Sequence, residues 1–105
     1  MQIEVRGHAL RITKALREYA QRRIDFALDR FRPRVARVTV RLTDSADGHE
    51  EGMTCSISAS GSGLPPHIIS VRGGDLYSAI DIAAGRLGRQ VARTLDRRTT
   101  SMRMS

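Results

Sequence analysis

Residues 75–98 read DLYSAIDIAAGRLGRQVARTLDRR, and only a helix sorts this segment into an apolar and a cationic side. At about 100° per residue, Ile80, Ala83, Ala84, Leu87, Val91 and Leu95 fall within about 60° of one direction. On the same wheel Arg86, Arg89, Arg93 and Arg97 gather between about 180° and 260° from Ile80. These arginines recur at steps of three, four and four, and Asp96 is the only acid after Asp81. The outer face is thus a positive strip without the interleaved acids of an ordinary solvated helix. Asp75 is a good N-cap for it, directly after the breaking pair Gly73-Gly74.

Upstream the period changes from 3.6 to 2. Val38, Val40 and Leu42 alternate with Arg37, Thr39 and Arg41, which predicts a strand over 35–43. Met53, Cys55, Ile57 and Ala59 alternate with Thr54, Ser56, Ser58 and Ser60, a second strand beyond a polar loop at 44–52. Gly61-Ser62-Gly63-Leu64-Pro65-Pro66 reads as a turn, and 67–72 as a strand with Ile69 and Val71 on one face. Neighbouring strands of this kind pair antiparallel.

Towards the N-terminus, residues 2–6 alternate with Ile3 and Val5 on one side and stop at Gly7, a short first strand. Thr13 can cap a helix over 14–31, with Leu16, Ala20, Ile24, Ala27 and Phe31 as its apolar set and Pro33 as its end. That helix is long enough for a crossover, so the first strand can lie parallel to a neighbour. The order β-α-β-β-β-α is satisfied by laying both helices on the apolar face of a four-stranded sheet, an α+β two-layer domain. The expected layout is one domain over 1–98 and a short flexible tail over 99–105.

The first helix adds to the basic surface. Tyr19, Arg22, Arg23, Phe26 and Arg30 share one edge of its wheel, at about 240° to 340° from Leu16. Either the two rings plug the groove between the helices while arginines snorkel over them, or a ring stacks on an exposed base while arginines hold phosphates. The scarcity of aromatics, two Phe and two Tyr, favours the core role for Phe26. Gly85 and Gly88 each cost a helix interior roughly 1 kcal/mol relative to alanine. They form either a KH-like G-x-x-G loop, which clamps nucleic-acid backbone, or a small-residue patch for close packing.

The chain has 105 residues, and its 18 basic residues are 17 arginines and Lys14, set against 11 acids, for a formal charge of +7. A field of that sign speeds encounter with polyanions, and guanidinium groups fork onto phosphate oxygens. The lone Cys55 allows no disulfide framework, and it alternates with serines on an apolar strand face. His8, His49 and His67 fall at no metal-ligand spacing with Cys55 or a carboxylate, so no metal, cofactor, catalytic residue or small-molecule substrate is expected. No apolar run approaches membrane-spanning length, which favours a cytoplasmic protein.

Asp75-Leu76-Tyr77-Ser78-Ala79-Ile80-Asp81, followed by Arg86-Leu87-Gly88-Arg89-Gln90-Val91, resembles the signature of the ribosome hibernation promoting factors, also called ribosome-associated inhibitors or sigma-factor modulation proteins. The opening Met1-Gln2-Ile3-Glu4-Val5-Arg6-Gly7, the stretch Ile12-Thr13-Lys14-Ala15-Leu16-Arg17-Glu18-Tyr19 and the strand Val38-Thr39-Val40-Arg41-Leu42 are similar to that family as well. The resemblance implies a domain akin to double-stranded-RNA-binding domains that docks in the mRNA and tRNA channel of the small ribosomal subunit. It implies a translation inhibitor of resting or stressed cells that contacts ribosomal RNA through Arg23, Arg86, Arg89, Arg93 and Arg97. Arg22 and Arg98 lie beside those positions and join them on physical grounds, and Arg30 can substitute for a missing contact.

Phe26 and Leu95 stand where the family is commonly basic, and Gly85 where it is commonly acidic. Ending at Ser105, the chain has the length of a short form, without the C-terminal dimerisation domain of long members, and a monomer is expected. The competing expectation is a protein-interaction module that modulates transcription, acting through the sheet.

Overall fold

The structure, a computed structural model, describes residues 1–45 and 52–104, with the side chains of Ser45 and of 98–104 outside that description. Most of the expected 44–52 loop, with His49, therefore lies outside the described residues. The elements are β1 (Gln2–His8), α1 (Lys14–Leu28), a 3₁₀ turn (Asp29–Arg34), β2 (Arg37–Ser45), β3 (Gly52–Gly61), β4 (Leu64–Gly73) and α2 (Leu76–Met104).

The strands lie side by side in chain order. β1 runs parallel to β2, as the α1 crossover permits, with Ile3 opposite Val38 and Val5 opposite Val40. β2, β3 and β4 are antiparallel, which sets Val40 across from Ile57 and Ile57 across from Ile69, with Cys55 between Leu42 and Val71. Period-2 alternation puts these side chains on one face, where both helices cover them in a single core. Ile80, Ala83, Ala84, Leu87 and Val91 of α2 and Leu16, Ala20, Ile24 and Leu28 of α1 are fully or almost fully buried there. Among the described residues the opposite sheet face carries no helix, and it exposes Arg37, Arg41, Ser58, Ser70 and Arg72.

β1 runs two residues past its expected end and β2 is shifted by two at each end, and three expected boundaries move further. The first helix ends at Leu28, and the chain tightens into a 3₁₀ turn that contains Pro33 and still buries Phe31. A proline ring disfavours α geometry just before it, and the Val35 N–H returns to the Phe31 carbonyl at 3.1 Å. Next, the turn before β4 shrinks to Ser62-Gly63, with Gly63 at φ 72°, and Pro65 and Pro66 belong to the strand. Because β4 is an outer strand and its register shifts between Ala59 and Gly61, missing proline N–H groups are tolerated. Last, α2 continues to Met104, past its expected end at 98. No glycine or proline in that stretch interrupts the backbone ladder.

Candidate nucleic-acid interface

Both helices start on side-chain caps. The Leu16 N–H donates to Thr13 Oγ1 at 3.1 Å, and the Ser78 N–H donates to Asp75 Oδ1 at 2.9 Å. The Ser78 hydroxyl adds a second bond to Asp75, and the two together hold the Asp75 carboxyl below the usual carboxylate range.

What joins the helices is Asp81. Its Oδ1 accepts from the Tyr19 hydroxyl and from Arg23 Nε, the latter at 2.9 Å. The Tyr19 phenol is pushed above its ordinary range, mainly by that hydrogen bond, and its ring meets Tyr77 edge-on at 4.8 Å. Two turns further along α2, Gly88 lets the helices close in: a Cβ there would stand 3.0 Å from the Ala27 carbonyl oxygen.

Arg86, Arg89, Arg93 and Arg97 are all exposed along α2, as are Arg22 and Arg30 on α1. None of these six is ion-paired among the described residues. Other arginines are occupied: Arg32 by Asp25 and Asp29, Arg17 by the Val5 carbonyl, Arg6 by Glu4. Arg23 is brought to the interface but held by Asp81, so it is less free than its place in the sequence suggests. Arg98 lies in α2, and its side chain is outside the described residues.

A groove of about 320 Å³ runs between the helices, lined by Arg23, Arg30 and Arg89 with Phe26, Phe31, Ala27, Gly85, Gly88 and Ala92. Phe26 does not enter the core: it is 79% exposed, while Phe31 supplies the buried ring. Scarcity of aromatics was the wrong guide, because aliphatic side chains fill the interior. The Arg23 guanidinium carbon lies 5.9 Å from the Phe26 ring centre, and that of Arg30 lies 4.5 Å from Phe31. Arg23, Phe26 and Arg30, from the edge of the first helix read in the sequence, line this groove. Asp81 was missed as its organiser because its partners sit 62 and 58 residues away, with no local spacing to betray them. The continuous α2 removes the KH-like loop reading of Gly85-Arg86-Leu87-Gly88.

Elsewhere the chemistry is quiet. Burial pushes the Cys55 thiol up to about 12, which suits a core residue. Among the described residues no cluster of His, Cys, Asp and Glu could hold a metal ion, and no helix is long and apolar enough to cross a membrane.

Known proteins share this architecture. The chain is 31% identical over 91 residues to a ribosome hibernation promoting factor of Azotobacter vinelandii, covering 87% of this chain and 79% of the relative. The N-terminal domain of Protein Y from Thermus thermophilus superposes with a TM-score of 0.75 at 29% identity, over 89% of this chain and 98% of that domain. A ribosomal subunit interface protein from Coxiella burnetii shares the fold at 17% identity and a TM-score of 0.74, over 89% and 96% of the two chains. The family model described as Sigma 54 modulation protein / S30EA ribosomal protein matches residues 3–99, and with these relatives beside it the chain belongs to that family.

Proposed function

We propose that this chain is a ribosome-binding translation inhibitor of resting or stressed cells, acting as a cytoplasmic monomer without catalysis. It docks in the mRNA and tRNA channel of the small subunit and grips ribosomal RNA through Arg22, Arg23, Arg30, Arg86, Arg89, Arg93, Arg97 and Arg98. The observation that carries this reading is the set of exposed arginines on two adjoining helices, Arg22, Arg30, Arg86, Arg89, Arg93 and Arg97, that are not ion-paired among the described residues. Unpaired guanidinium groups in a row neutralise phosphates, and a folded domain held there occupies space that mRNA and tRNA need. The names of the relatives, a hibernation promoting factor and a subunit interface protein, point the same way.

Purified protein should sediment with small subunits at low salt. If about six phosphates are engaged, affinity falls roughly a thousandfold between 50 and 200 mM salt. Changing Arg86, Arg89 and Arg93 together to glutamate should abolish both co-sedimentation and inhibition of cell-free translation. A wild-type chain that stays out of the small-subunit fraction at low salt refutes the reading. The bare sheet face, with Arg37, Arg41 and Arg72 exposed, supports a second one, a module that modulates transcription through protein contacts. Under that reading the triple glutamate variant keeps its activity.

A further inference from the structure

We infer that the groove between α1 and α2 receives one unstacked nucleobase of the ribosomal RNA, laid against Phe26, with a flanking phosphate held by Arg30 and Arg89. The inference rests on the ribosome-binding reading and adds what this surface recognises beyond phosphate. Its first support is Phe26, which is 79% exposed and therefore contributes nothing to the core. A ring so placed, with a guanidinium 5.9 Å from its centre, is an unused stacking platform. Its second support is Gly85. A Cβ at that position would find only Arg89 Nη1, at 3.4 Å, within contact range, so packing does not demand a glycine there.

Gly88 is different, since α1 passes directly over it. The missing side chain at Gly85 instead keeps the groove open, at a cost in helix propensity. The volume, about 320 Å³, sits at the small end of ligand sites and suits one base with its sugar, not a peptide segment. The apolar floor with three arginines around it selects the occupant: a flat neutral ring attached to anions, which a hydrophobic side chain of a protein is not.

The test is the affinity of the whole chain for purified small subunits across a salt series, for wild type, Phe26→Leu, Gly85→Leu and Arg89→Gln. Phe26→Leu keeps apolar bulk without a ring, and Gly85→Leu fills the groove with a good helix former. Both should weaken binding roughly fivefold to a hundredfold, with an unchanged slope of log K against log salt. Arg89→Gln should weaken binding and flatten that slope by nearly one unit. A benzophenone amino acid at position 26 should crosslink to ribosomal RNA. If wild type binds but both leucine variants match it within twofold, or the crosslink goes to a ribosomal protein, the base-binding groove is wrong while ribosome binding stands. If wild type itself does not bind, both readings fall.

Discussion

Asp81 carries two opposed roles in one carboxylate. It ties α1 to α2 through Tyr19 and Arg23, and it sets a negative charge beside a surface otherwise made of arginines. Asp81→Asn should therefore lower stability by about 1 kcal/mol, a modest loss because the pair is partly exposed. The same change frees Arg23 and should tighten small-subunit binding a few-fold; thermal melts and sedimentation read the two effects separately. Cys55 is the opposite kind of residue, fully buried and with its thiol pushed up to about 12. Iodoacetamide at mildly alkaline pH should leave it unmodified in the native protein and alkylate it in denaturant, as mass spectrometry will register. Its inward alternation made that legible in the sequence. Nothing local could disclose the Asp81 contacts, which exist only once two distant helices are laid together.

At the level of elements, α2 holds two glycines one turn apart that look alike in sequence and differ in surroundings. Gly85→Ala should raise stability by about 0.5–1 kcal/mol, the usual helix gain. Gly88→Ala should gain nothing or lose, because its methyl would press on the Ala27 carbonyl at 3.0 Å. Parallel thermal melts decide between them. The α2 cap also titrates. Asp75 is held below its ordinary value by its bonds to Ser78, so folding favours its charged form. That contribution is complete above about pH 4, the unfolded carboxyl's range, and is lost as pH falls through the lower folded value. Asp75→Ser, whose hydroxyl caps without titrating, should flatten the acid side of a melting-temperature profile between pH 2 and 5. The helix starts were readable because capping is local chemistry. The β4 start was not: Pro65-Pro66 signals a turn unless the strand is known to be outermost, and that is a property of the assembled sheet.

For the whole molecule the question is whether place or mere charge drives binding. Arg86→Glu with Arg89→Glu, and Arg37→Glu with Arg41→Glu, remove the same charge from a chain of formal charge +7. Co-sedimentation with small subunits should collapse for the helix pair and weaken only a few-fold for the sheet pair, since distant charges act mainly through the long-range field. The two-layer architecture was legible because every strand and helix keeps its own period. That the groove between the helices stands open was not, because it depends on how closely α1 and α2 approach and on a ring that faces outward. The outer strands of a sheet carry unpaired backbone N–H and C=O groups that invite another molecule to extend it, and β4 is one of the two outer strands here. Pro65 and Pro66 have no N–H to offer along that border. Part of the sheet's rim is thus closed to strand addition, a guard against fibrous self-association built from the same two residues that blurred the strand's start.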